Sequence, residues 1–316
     1  MTRSLITGGA GFIGSNLVER LLQEGHEVRV LDNYETGNKD NLTEFLNDIE
    51  LFEGDIRDAA LVNQAVNGAD FVFHQAALSS VPRSIADPMA SNAVNVDGTL
   101  NVLMAAREAN VQKVVYASSS SIYGPTEVLP KEESMAPNPI SPYALAKFTG
   151  EKYCQIFSDL YDLPTVCLRY FNIFGPRQDP KSEYAAVVPL FITNLLSGQP
   201  IHIYGDGEQS RDFTYIENAI NANLLAATSS KEADGEVFNV GCNARATLNT
   251  LVNLMGELMG VEAEPEYHPP RLGDVKHSLA DVSKAQRLLN FDPKVDLKQG
   301  LEHTIDWFQK QPAYAR

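Results

Sequence analysis

Leu5-Ile6-Thr7-Gly8-Gly9-Ala10-Gly11-Phe12-Ile13-Gly14 is a short apolar run that breaks into glycines. Leu5 to Thr7 reads as a strand. From Ser15 to Glu24 the apolar residues Leu17, Val18, Leu21 and Leu22 recur at helical spacing, and Gly25 ends the helix. Strand, glycine turn and helix in this order make the opening unit of a dinucleotide-binding fold. Gly8 permits the tight turn, Gly11 the close approach of a pyrophosphate, and Gly14 the packing of helix on strand, with Phe12 and Ile13 in the turn between them. The helix N-terminus presents free N–H groups and a favourable dipole to the phosphates. The next strand, Val28 to Leu31, ends at Asp32, eighteen residues beyond Gly14. An acid there accepts hydrogen bonds from a ribose diol and repels a 2′-phosphate, so NAD is expected rather than NADP. Asp55 and Ile56, after a third strand, are placed to touch the adenine. Ala76, just past the strand Phe71-Val72-Phe73, belongs to the same cleft.

Outward from this unit, strand and helix keep alternating. Lys113 to Ala117 and Thr165 to Tyr170 are further β-type runs, with helical segments between them, notably Ala93 to Ala109. The alternation predicts an α/β fold: a doubly wound parallel Rossmann sheet with a smaller mixed α/β lobe toward the C-terminus. Beyond about residue 171 the texture changes to shorter elements separated by loops rich in Gly, Pro and Asp. The expected division is 1–171 for the nucleotide domain, returning at about 212–241 through the buried strand Glu236 to Val240. Residues 172–211 and 242–316 are expected to form the substrate lobe.

Composition narrows the partners. Forty-one acidic against 25 basic residues leave a formal charge of -16 over 316 residues, which argues against nucleic acid or an anionic membrane surface. A phosphate-bearing ligand would therefore need local arginines. No apolar run approaches the roughly 18 residues of a membrane span. The chain opens Met-Thr-Arg-Ser with no charged leader and apolar stretch, so a cytoplasmic location is expected. Cys154, Cys167 and Cys242 are too few for a disulfide framework and read as small core residues. No Cys/His cluster has metal-ligand spacing, and no metal is expected. His26, His202, His268, His277 and His303 show no partner pattern, while His74 lines the cofactor cleft or packs structurally. Trp307 and Phe308 belong to an amphipathic C-terminal helix.

Ser141-Pro142-Tyr143 carries helix-start signals, an N-cap serine followed by a first-turn proline. Tyr143 and Lys147 then share a helix face at i, i+4. Positive charge from the lysine and from a nicotinamide should favour the phenolate, lower the tyrosine pKa and make Tyr143 a general base. Ser118 to Ser121 follow a strand, at the carboxyl edge where doubly wound sheets bind ligands.

Five motifs now stand in order: TGGAGFIG (7–14), SSSSIYG (118–124), SPYALAK (141–147), RYFNIFGPRQDP (169–180) and GDGEQSRDFTYIENA (205–219). Across nearly the whole chain they resemble the extended short-chain dehydrogenase/reductase family, and within it the UDP-hexose 4-epimerases. The resemblance implies catalysis by Ser119, Tyr143 and Lys147. Ser119 and Tyr143 would contact the sugar's 4-hydroxyl, and Lys147 would bind the nicotinamide ribose. It implies a transient 4-keto sugar, tethered through UDP, that turns over and is reduced on its other face. By motif match, Asn172 would meet the diphosphate or sugar, Arg211 and Arg271 the diphosphate, and Asp274 the uridine ribose. Related dehydratases and decarboxylases carry carboxyl groups where this chain has Ser120 and Ser121, so elimination is not expected. A small residue at Ser278, where a tyrosine restricts the pocket in some relatives, leaves room for a 2-acetamido group that Ser120 and Ser121 could hold. UDP-GlcNAc and UDP-GalNAc are thus the favoured pair, with UDP-Glc and UDP-Gal beside them. UDP-glucuronate 4-epimerases, which tend to have Thr in place of Asn172, are the nearest rival. A non-catalytic NAD sensor has no need of the Tyr143–Lys147 pair. The resemblance further implies a homodimer formed through helices 93–109 and 143–160 as a four-helix interface.

Overall fold

In the computed structural model, residues 2–181, 186–270 and 276–311 are described. Its sheet contains β1 (Arg3–Thr7), β2 (Glu27–Asp32), β3 (Ile49–Glu53), β4 (Phe71–His74), β5 (Lys113–Ser119) and β6 (Thr165–Tyr170). Glu236–Val240 is the seventh strand, and the order across the sheet is β3-β2-β1-β4-β5-β6 and then Glu236–Val240. Every pairing is parallel. The order reverses between β1 and β4, which opens a crevice at the carboxyl ends of those strands.

Side chains alternate across the sheet and feed two cores. Leu5, Leu31, Val72, Val114 and Cys167 face one side. Ile6, Val30, Phe73, Val115 and Leu168 face the other. The second core runs on without interruption into the lobe, through Phe174, Phe191, Leu251, Leu301 and Phe308. The lobe is therefore welded to one face of the sheet rather than hung from it. It is built from the helices Val187–Ser197, Leu248–Met259 and Leu297–Lys310 and from short two-stranded ribbons.

The first helix, Phe12–Gln23, begins directly after Gly11 and buries Leu17, Val18 and Leu21. The helix read from Ala93 differs more. The chain is helical from Pro88, capped by Asp87, whose carboxylate accepts the Ala90 N–H at 2.9 Å. It is wound as a π-helix over Ala93–Gly98 and as an α-helix over Thr99–Glu108. Buried Asn95 explains the wide turn. Its side chain bridges to the Leu78 backbone, accepting from N at 2.8 Å and donating to O at 3.2 Å, while its own carbonyl takes the Thr99 hydroxyl at 2.8 Å. Apolar periodicity does not encode such side-chain ties. Among the described residues no helix is long and apolar enough to cross a membrane.

Candidate active site

The strand ends open onto a cavity of about 780 Å³. Gly8, Gly11, Phe12, Ile13, Gly14, Asp32, Asp55, Ile56 and Ala76 lie in its wall together with Tyr143 and Lys147. Every residue assigned from sequence to the cofactor thus meets one space. The glycines leave no room for side chains: a Cβ on Gly14 would sit 2.1 Å from the Gly8 carbonyl oxygen, and one on Gly8 (φ +72°) 2.7 Å from the Ala76 backbone. At Gly11 a Cβ would meet only the Gly8 oxygen, at 3.2 Å, and would otherwise occupy the open cradle at the helix start. This cradle, with the dipole of Phe12–Gln23 behind it, fits a dinucleotide pyrophosphate.

Asp32, 7% exposed, accepts the Ala10 N–H at 2.8 Å and the Tyr34 N–H at 2.7 Å. Burial raises its pKa, and these N–H groups work against the rise. Asp55 is clamped by the Arg57 guanidinium at 2.7 and 2.8 Å and by the Asn33 amide at 2.7 Å. The Arg57 guanidinium holds its carboxyl below the usual carboxylate range.

At the other end of the cavity, the helix Pro142–Leu160 starts at Ser141, whose hydroxyl accepts the Ala144 N–H at 3.2 Å. The Tyr143 N–H donates to Ser84 Oγ at 3.1 Å, which fixes the first turn. One turn on, the buried Lys147 Nζ donates to the Ala117 carbonyl at 2.7 Å and lies 4.9 Å from the Tyr116 ring centroid. Burial pushes the Lys147 amine down to about 8, so it is mostly cationic at neutral pH. The expected lowering of the Tyr143 pKa is not produced by the protein's own groups. Burial raises it, and the interaction with the Ser119 hydroxyl offsets part of the rise.

Ser119 ends β5 and caps the next turn; its Oγ accepts the Ser121 N–H at 3.2 Å and lies 2.9 Å from Ser121 Oγ. Ser118, which the sequence reading gave no role, is in the cavity wall and donates to Glu151 at 2.6 Å. Glu151 in turn pairs with Arg169 through two bonds of 2.8 Å. The available signal was spacing, because Tyr143, Lys147 and Glu151 stand at i, i+4 and i+8. His74 is buried between Thr7 at 2.7 Å and Thr99 at 2.9 Å, and burial pushes it down to about 3. It is a neutral packing residue.

The residues assigned to the sugar nucleotide gather elsewhere, around Ser210–Asp212. Asn172, held at φ +36°, donates to the Asp212 carbonyl at 3.2 Å, with Ser278 Oγ at 3.5 Å. The Ser278 N–H donates to Ser210 O at 3.0 Å, and Arg211 donates to the carbonyls of Ser210 at 3.0 Å and Lys276 at 3.1 Å. Asn172, Arg211 and Ser278 are thereby brought together from three parts of the chain. None of them, nor Ser119, Ser120 or Ser121, is among the residues of the cofactor cavity wall. Arg271 and Asp274 lie outside the described residues. Gln75, Tyr170, Gln178 and Asp179 do line the cavity and went unassigned, although the last three fall inside the RYFNIFGPRQDP segment. Arg83 and Glu35, also in the wall, form an ion pair with each other.

Comparison with known proteins bears on this geometry. The model of the NAD dependent epimerase/dehydratase family matches residues 4–241. The UDP-glucose 4-epimerase of Mycolicibacterium smegmatis is 40% identical over 313 residues, covering 98% of this chain and 99% of that one. A UDP-N-acetylglucosamine 4-epimerase from Methanobrevibacter ruminantium M1, solved with UDP-N-acetylmuramic acid, matches with a TM-score of 0.93 at 39% identity, over 97% and 98% of the two chains. A UDP-glucuronic acid 4-epimerase from Bacillus cereus, solved with UDP-glucuronic acid and NAD, matches with a TM-score of 0.89 at 31% identity, over 97% and 98%.

Proposed function

The chain belongs to the NAD dependent epimerase/dehydratase family, and from that premise we propose that it is a UDP-hexose 4-epimerase. Its proposed substrates are UDP-GlcNAc and UDP-GalNAc, with UDP-Glc and UDP-Gal turned over as well. One observation carries the reading. Tyr143 and Lys147 line the same cavity as the glycine cradle and Asp32.

NAD, when bound, supplies a reversible acceptor for the hydride of a sugar carbinol carbon. Tyr143 is the proton carrier for the sugar's 4-hydroxyl, and Ser119 orients that hydroxyl. Lys147, anchored at the Ala117 carbonyl one turn along the helix, binds the nicotinamide ribose, and the charge of the bound nicotinamide would favour the phenolate against burial. The UDP moiety keeps the sugar in the site while it turns, so that proximity is preserved across both half-reactions. Asn172 and Arg211, brought together at Ser210–Asp212, are the residues we assign to hold it, and a guanidinium suits a diphosphate. Ser120 and Ser121 bring no carboxyl group to drive elimination.

Substrate breadth rests on Ser278. Ser278, its hydroxyl 3.5 Å from the Asn172 amide, is smaller than the tyrosine that restricts the pocket in some relatives, and that difference in volume supports acceptance of a 2-acetamido group. The proposed division of labour assigns 1–171, with the return at about 212–241, to NAD, and 172–211 with 242–316 to the UDP-sugar. A homodimer is proposed through the Pro142–Leu160 and Thr99–Glu108 helices. They expose Leu145 (54%), Ile156 (42%), Leu160 (72%) and Met104 (37%), apolar surface that the helices of a second copy would cover.

The test is to incubate the protein with NAD and, separately, UDP-GlcNAc, UDP-Glc and UDP-glucuronate, and to resolve the products by chromatography. UDP-GalNAc formed at least as efficiently as UDP-Gal is the expected result. Turnover of UDP-Glc alone would remove the argument from Ser278. Turnover of UDP-glucuronate alone would overturn the weight placed on Asn172.

A further inference from the structure

In the lobe, Ile201–Tyr204 and Pro265–His268 form a parallel ribbon with His202 opposite Glu266 and Tyr204 opposite His268. Ile201 and Ile203 are buried in the core, so the alternation of the strand turns His202 outward. Glu266 and His268, two residues apart, share a face of the partner strand, and it is the face His202 presents. His202 Nδ1 stands 2.9 Å from His268 Nε2 and 3.3 Å from Glu266 Oε2. One ligand atom from each of the three lies within 4.8 Å of the others.

We propose that His202, Glu266 and His268 form a binding site for a divalent transition-metal ion, with Zn²⁺ the best match. Two imidazole nitrogens and one carboxylate oxygen are ligands of borderline hardness, suited to Zn²⁺ and unsuited to Mg²⁺ or Ca²⁺, which take mostly oxygen. Tetrahedral Zn²⁺ with bonds of about 2.0–2.1 Å needs neighbouring ligand atoms roughly 3.3 Å apart. The His202–Glu266 spacing of 3.3 Å meets that. The His202–His268 spacing of 2.9 Å must open by about 0.4 Å, which small rotations of two accessible rings supply. The ion would replace the proton now shared between the rings, and water would complete its shell. None of the three residues lines the cofactor cavity, so the site is structural: a clasp across a ribbon whose second strand is followed in the chain by Arg271, Asp274 and Ser278.

Untagged protein, stripped with a chelator and exchanged into chelator-free buffer, is titrated with Zn²⁺ by calorimetry. The expected result is one ion per chain at micromolar affinity, and a thermal midpoint raised by about 2 °C in 100 µM Zn²⁺. Millimolar Mg²⁺ should leave the midpoint unchanged. His202→Ala and His268→Ala should each weaken binding by at least about tenfold, and Glu266→Gln by less. His202→Asn, which keeps a polar side chain on the exposed strand, is the control should an alanine variant fold poorly. Absence of binding by the parent, or Zn²⁺ uptake unchanged in both histidine variants, overturns the assignment.

Discussion

Tyr143 illustrates how a single residue depends on its surroundings. Its helix position puts the phenol beside Ser119 and one turn from a lysine, yet burial outweighs the Ser119 hydroxyl and raises its pKa. The phenol is therefore a proton donor until positive charge arrives beside it. Tyr143→Phe is expected to lower kcat by about 10²- to 10⁴-fold, the usual worth of a positioned acid–base group, with little change in nucleotide-sugar affinity. Rates and binding measured on the same preparation check this; a loss of binding equal to the loss of rate would argue for a merely structural tyrosine. His74 gives a pH signature. The fold keeps it neutral down to about pH 3, whereas in the unfolded chain it protonates near 6.5. Its contribution is complete above 6.5 and is lost as the pH falls toward 3, at up to roughly 1.4 kcal/mol per pH unit. His74→Gln, able to keep one threonine contact, should flatten the acid limb of stability between those values. Urea midpoints across that range would show it, and an unchanged slope would place the acid sensitivity in other groups.

At the scale of the element, the helix Pro142–Leu160 carries Tyr143 and Lys147, and its ties include the Ser141 cap, the Tyr143–Ser84 bond, the Lys147–Ala117 bond and the buried Glu151–Arg169 pair. Arg169 and Glu151 have side chains only 4% and 1% exposed, so removing one partner strands a charge. Arg169→Met should cost about 3–5 kcal/mol in urea unfolding, and the double variant Glu151→Gln/Arg169→Met should recover most of it. A double variant no more stable than the single one would show that the pair is worth more than an apolar filling. This helix was legible from its cap and first-turn proline, and β6 from its continuous run of β-type residues. The π-wound Ala93–Gly98 turn was not, since it follows from what Asn95 touches across the fold.

For the whole molecule, the switch in strand order between β1 and β4 creates the cofactor crevice, and the shared core fixes the lobe against it. On the helix Pro142–Leu160 the exposed Ile156 and Leu160 stand at i, i+4 and share a face. The parent chain is expected to sediment as a dimer. Ile156→Glu/Leu160→Glu should sediment as a monomer with its circular dichroism intact. A monomeric parent would remove the proposed interface.

The amino-acid order alone was enough for the parallel sheet, the glycine turn and the Tyr143–Lys147 pair, because each rests on spacing within one segment, and local geometry follows from local sequence. Contacts across long separations were not written there. Ser118 gains its importance from Glu151, 33 residues away, and Asn172 meets Ser278 across 106. His202 and His268, read as unrelated, are brought to 2.9 Å across 66 residues by the register of one ribbon. Register and burial are properties of the packed chain. They decide which polar groups share a space and, through desolvation, which of them carry charge there.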